Sequence, residues 1–254
     1  MRKRFYSVVL GAAVLILGPV AAAHAGLTIV REVGDEPDAP TVKQTYYVEG
    51  HRLAVITDDG SGEIFDIDRQ LVWTYNTRLK MFSKTTVDKA EVMVKRARKM
   101  NERMRRTQLD RLPPDKRMEV EAELAAREAN PSLKQMGKDK IVGKWRCTPV
   151  VEYIPSSTVP IETLCVASFG QLGITEGDRK ILKNIEKTTD RFAGHFGGPG
   201  RRIEGALKKI GIEGMPVEIR HSINGVTTVV SVSHGAISPS VFEVPTGLRE
   251  APIP

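Results

Sequence analysis

The sequence predicts an α+β fold in which a curved antiparallel sheet, a half-barrel, carries a small number of helices. Three observations point there. Short alternating segments recur about every ten residues between Leu27 and Thr86, each broken by Gly, Asp or Asn turn chemistry. At Val87 the hydrophobic period moves from two to near 3.6, which marks the entry of a helix. Alternation then returns around Cys147 and Cys165 and around Asn224-Gly225. With 254 residues, 41% hydrophobic and 27% charged, the chain has enough apolar material for a core, which excludes a disordered tail and a multi-span membrane protein.

Residues 1–25 read as a targeting segment. Arg2, Lys3 and Arg4 precede an apolar run from Phe5 to Val20, and Ala23-His24-Ala25 supplies small residues at the two positions a signal peptidase reads. The run is interrupted by Gly11, Gly18 and Pro19 and is shorter than the roughly 20 residues that span a bilayer. Cleavage after Ala25 is expected, with Gly26 opening a single domain over 26–254 in the periplasm or outside the cell. Loss of the three basic residues lowers the formal charge from +7 to about +4, weak support for a polyanion partner, and no nucleic acid is expected.

The strands expected first are Leu27–Val33, Val42–Val48, Arg52–Thr57, Glu63–Ile67, Leu71–Tyr75 and Lys80–Thr86. The alternation of Val42, Gln44, Tyr46 and Val48, continued by Leu71, Trp73 and Tyr75, implies a sheet with one drier side. From Val87 to Leu109, Ala90, Met93, Ala97, Met100 and Met104 fall on one helical face, and Lys95, Arg96, Arg98, Lys99, Arg103, Arg105 and Arg106 occupy the rest. Leu112-Pro113-Pro114 ends that helix, because proline cannot continue the hydrogen-bond ladder, and Asp115 to Glu128 starts a second. Together they form a helical hairpin inserted at about 87–130.

Two cysteines in an exported chain imply a disulfide. Strands Lys144–Tyr153 and Val159–Phe169, if symmetric about Ser156, place Cys147 directly opposite Cys165. Thr175 and Asp178 form a capping box, followed by Ile181, Leu182, Ile185, Thr189 and Phe192 at helical spacing. Gly197-Gly198-Pro199-Gly200 is a turn, since it lacks the Lys-Ser/Thr of a phosphate loop, and Arg201–Ile210 is a short helix ended by Gly211. Across the Asn224-Gly225 turn, His221 faces Thr228, Ile219 faces Val230 and Val217 faces Val232, which puts these residues on one buried face. His221 then sits in an apolar row as a structural residue. A last strand is expected at Val241–Val244.

Several stretches carry a family likeness: Tyr47-Val48-Glu49-Gly50-His51-Arg52-Leu53, Ile141 to Cys147, Leu164 to Leu172, Gly214-Met215-Pro216-Val217-Glu218 and Phe242 to Leu248. Over most of residues 40–250 the chain resembles an exported bacterial family of unknown function whose relatives are similar to the LolA and LppX lipoprotein carriers. The resemblance implies a half-barrel with helices on its concave side and transfers no catalytic residue. The expected function is non-enzymatic binding of a lipid acyl chain, a lipidated partner or another hydrophobic group, lined by Trp73, Tyr75, Met93, Met100 and Met104. The alternative is a cell-envelope interaction module with a self-filled core, whose Arg98, Lys99, Arg105 and Arg106 meet anionic lipid or an acidic partner. No cofactor, metal or catalytic residue is expected, because the sequence offers no paired carboxylates, no nucleophile with a base and no metal-ligand spacing.

Overall fold

The computed structural model describes residues 25–34, 40–118, 120–121, 132–153, 160–193, 200–221 and 225–251. The targeting segment expected at residues 1–25 therefore lies outside the described residues apart from Ala25. The second arm of the helical hairpin is described as helical at 114–118 and 120–121.

The meander forms where the turn chemistry places it: β1 (Gly26–Gly34), β2 (Val42–Glu49), β3 (Arg52–Thr57), β4 (Ser61–Asp66), β5 (Leu71–Asn76) and β6 (Met81–Thr86). Helix α1 (Val87–Leu109) follows, capped by the Thr86 hydroxyl, which accepts from the Lys89 N–H at 3.2 Å. Then come β7 (Ser132–Gln135), β8 (Lys140–Val142), β9 (Trp145–Tyr153) and β10 (Pro160–Ala167). Helices α2 (Glu176–Ala193) and α3 (Gly200–Lys209) precede β11 (Met215–His221), β12 (Gly225–Gly235) and the two-residue β13 (Arg249–Glu250). The strands join in one curved, unclosed sheet in the order β13-β6-β5-β4-β3-β2-β1-β12-β11-β10-β9-β7, with β8 on β9. It is antiparallel except where β13 runs parallel to β6. This is a sheet-dominated α+β fold.

Both faces of the sheet are covered, and the helix face carries the larger core, in keeping with one drier side. On the helix face, Leu27, Ile29, Val48, Leu53, Phe65 and Val72 pack with Val87, Ala90 and Val94 of α1 and Ile181, Leu182 and Ile185 of α2. On the opposite face, α3 covers β7 and β9–β11 through Leu207, Ala206 and Ile210 against Val150, Leu164, Val166 and Ile219. At the other end of that face, the chain after β12 turns back and lays Ile237, Val241, Phe242, Val244 and Leu248 on Tyr47, Ala54, Ile64, Trp73, Tyr75 and Phe82. Its entry is fixed by Gly26, where an added Cβ would lie 2.3 Å from the Ile237 side chain. The strand expected at Val241–Val244 is instead a short 3-10 helix, Pro239–Phe242, with proline in its first turn.

Two registers differ from those expected. The β9–β10 pairing skips Ile161, so Cys165 faces Pro149 and not Cys147. Cys147 lies two residues away on the same face, and the two cysteines are bonded with their Cα atoms 5.3 Å apart. In the C-terminal hairpin Glu218 faces Thr228 and His221 faces Gly225, three residues from the expected pairing. Val217 and Val230 are each skipped by the neighbouring strand. Val230 is consequently exposed and Val229 buried, the reverse of the alternation read from the turn.

The capping box forms as expected. The Thr175 hydroxyl accepts from the Asp178 N–H at 3.2 Å, and Asp178 accepts from the Thr175 N–H at 2.7 Å. His234 of β12 adds a contact, its Nε2 lying 2.9 Å from Asp178 Oδ2 and tying the start of α2 to the sheet. Burial alone would raise the Asp178 carboxyl, but hydrogen bonds from Thr175 and His234 outweigh it and hold the group below its ordinary value. A carboxyl lowered by folding contributes stability that is present above its unfolded pKa and lost as pH falls through the folded one. Asp178→Ala should therefore cost about 1 kcal/mol at pH 7. The deficit should shrink as pH drops below about 4 in thermal melts, and a constant deficit would contradict this account. In the oxidised folded protein both cysteines should resist alkylation, and reduction should cost about 3 kcal/mol in denaturant titrations. Labelling without reductant would contradict the bridge.

Candidate functional site

Strand period decides where the nominated residues go. Side chains alternate, so Val72 of β5 joins the core under α1 while Trp73 and Tyr75 point to the other face. The five residues expected to line one slot are thus divided between two sides of the sheet. Tyr75 is buried over Gly62, its cross-strand partner, where an added Cβ would meet the ring at 2.2 Å. Burial, with Tyr47 nearby, pushes the Tyr75 hydroxyl up. Met93 is half-buried on α1, but Met100 and Met104 are 59% and 51% exposed, and every residue from Lys99 to Met104 is exposed. The Met/Ala stripe continues in sequence past the stretch of helix that has a sheet to cover. Of the basic residues nominated with it, Lys99 is exposed, Arg105 is half-buried and Arg106 is ion-paired with Glu102 at 2.5 Å. The side chain of Arg98 lies outside the described residues.

Trp73 opens a different site. With Phe82 of β6 and Phe242 and Val244 of the returning chain it floors an open cleft of about 570 Å³. The rim is charged: Arg52, Asp66, Arg69, Lys84, Glu243 and Glu250. Three elements assemble it. The sheet brings Arg52 opposite Asp66 and Trp73 opposite Lys84. The 3-10 helix places Phe242 under Arg52, whose guanidinium sits 4.4 Å from the ring centroid. The parallel pairing of β13 with β6 sets Glu250 beside Phe82. Arg52 is also held by Glu49 at 2.5 Å and Arg69 by Asp66 at 3.5 Å, while the Lys84 ammonium stands 5.8 Å over the Trp73 ring. Such cation–π contacts are worth about 0.5–1 kcal/mol at exposed sites and keep both aromatic faces partly covered.

The expected apolar row around His221 is not formed. Its Nδ1 lies 2.5 Å from Oε1 of Glu162, its cross-strand neighbour, because the register places a carboxylate there. His51 and His234 also have carboxylates, Asp68 at 2.7 Å and Asp178 at 2.9 Å. Among the described residues no group of three or more His, Cys, Asp or Glu converges as a metal site, and no helix is long and apolar enough to cross a membrane.

Sequence reasoning found Trp73 but missed its companions. Lys84 was within reach, since the turn after Asn76 pairs it with Trp73. Phe242, Val244 and Glu250 were not, because nothing local in the chain specifies which strands the returning segment covers.

No family model matches this chain, and no curated protein does either. Among solved structures it is similar to PNGF-II in two crystal forms, at 8% and 9% identity with TM-scores of 0.36 and 0.34. The matches take in 89% and 90% of this chain and 30% and 32% of the other, so the chain spans about a third of that protein. A likeness this faint carries no argument about what the chain does.

Proposed function

We propose that this is a non-enzymatic binding protein of the periplasm or cell exterior, a half-barrel of the LolA and LppX kind that departs from the expected arrangement in carrying α3 on the face opposite α1 and α2. Its ligand is an amphiphile, a lipid or a lipidated partner. The apolar part lies on Trp73, Phe82 and Phe242, and the polar part meets the charged rim. The observation that carries the reading is the open cleft of about 570 Å³ in which Trp73, Phe82, Phe242 and Val244 lie among six charged side chains. A cleft of this size is within the range of small-molecule sites. Each methylene buried there contributes about 0.8 kcal/mol, so affinity needs no chemistry at the site. The N-terminal pattern of a targeting segment and the Cys147–Cys165 bridge support the location.

A second reading is favoured by one observation, the exposure of α1 from Lys99 to Met104. That half of the helix, basic and bearing two exposed methionines, suits contact with an anionic membrane surface, so that the module docks while the cleft takes its ligand.

The two locations separate by mutation. Trp73→Ala should weaken uptake of a fluorescent fatty-acid probe by about tenfold or more, as truncation of a central aromatic anchor does. Met100→Ala should leave it unchanged. Loss of uptake in Met100→Ala with normal uptake in Trp73→Ala would overturn the assignment and return the ligand to the helix face.

A further inference from the structure

We propose that the cleft selects a zwitterionic phosphoethanolamine headgroup, an inference that rests on the amphiphile reading above and names the ligand's polar end. The charges of the rim are unevenly paired. Arg52 and Arg69 are each neutralised by a carboxylate of the same sheet end, Glu49 and Asp66. Lys84 has the Trp73 ring as its neighbour and no carboxylate partner among the described residues. Glu243 and Glu250 likewise have no cation paired with their side chains among the described residues. What remains unbalanced is one ammonium and two carboxylates around one aromatic floor.

Lys84 stands over the β5 side of the cleft, opposite Trp73, and Glu250 stands on its β13 side, paired with Phe82. Lys84 and Phe82 point to the same face two residues apart along β6, about 7 Å. Glu250 pairs in register with Phe82, and Glu243 follows Phe242 on the returning chain. A ligand whose chain covers Trp73 and Phe82 presents its phosphate to Lys84 and its amine to Glu250 and Glu243. A purely anionic headgroup would satisfy Lys84 but set negative charge against both carboxylates. A cationic amphiphile would leave Lys84 opposed. A phosphate joined to a primary amine by a short bridge complements all three, and the two charges of the headgroup exchange water for partners of opposite sign.

The test is calorimetric titration of the full protein with four probes: a short-chain diacyl phosphoethanolamine lipid below its micelle concentration, its phosphoglycerol counterpart, a non-ionic alkyl glycoside, and chain-free phosphoethanolamine. The zwitterionic lipid should bind about fivefold or more tighter than the phosphoglycerol lipid, the scale of partly exposed ion pairs. Glu243→Gln/Glu250→Gln should erase that preference, and Lys84→Gln should weaken both phospholipids about fivefold. Both variants should keep the far-ultraviolet circular dichroism spectrum of the parent protein, which shows that they are folded. Equal binding of the two phospholipids, or a preference that survives Glu243→Gln/Glu250→Gln, overturns the headgroup assignment. Glycoside binding in that case leaves the aromatic floor as an amphiphile site, whereas no binding by any probe removes both readings. Chain-free phosphoethanolamine bound as tightly as the lipid overturns the lipid source.

Discussion

The structure depends on one constraint: neighbouring residues of a strand point to opposite faces, and both faces of this sheet are covered. In β5 that alternation sends Val72 under the helices and Trp73 out to the returning chain. Helix α1 and Trp73 can therefore never line one space, however close they lie in the chain. Every functional question about this protein reduces to which face of the sheet it concerns.

The two faces are built differently. The helix face is closed by long amphipathic elements whose buried side chains interdigitate with β1–β5 and with the disulfide-bearing strands. Such a core gains from close packing and has little to give up to a guest. The opposite face is closed by α3 at one end and by an irregular segment at the other. An irregular cover seats few side chains per residue, and between Ile237 and Glu250 it leaves the aromatic groups of β5 and β6 incompletely roofed. The cleft is a consequence of that economy of cover, and its charged rim follows from the sheet's outermost rows.

What the sequence made legible was local chemistry. The bounds of α1 followed from the change of period at Val87 and the prolines after Leu112, and the start of α2 from Thr175 and Asp178, because caps and breakers act within one turn. The short meander strands were equally readable from their turns. Registers around Cys165 and after Gly225 were not, since neither the bulge at Ile161 nor the offset already present at the first hairpin pair, His221 with Gly225, is announced by a residue type. The site was legible at Trp73 alone. Its partners Phe242 and Glu250 lie about 170 residues along the chain, and they meet it where the chain after β12 turns back across the sheet, with Ile237 seated over Gly26. The stripe of Met100 and Met104 misled for the converse reason: helical periodicity reports an apolar side, and it does not report how far the opposing sheet extends.

The central claim is that the ligand occupies the face away from the helices. It is tested most directly by photo-crosslinking a diazirine-bearing lipid to the purified protein and mapping the adducts by mass spectrometry. The account predicts adducts on β5, β6 and residues 241–250. Adducts confined to α1 and α2 would contradict it.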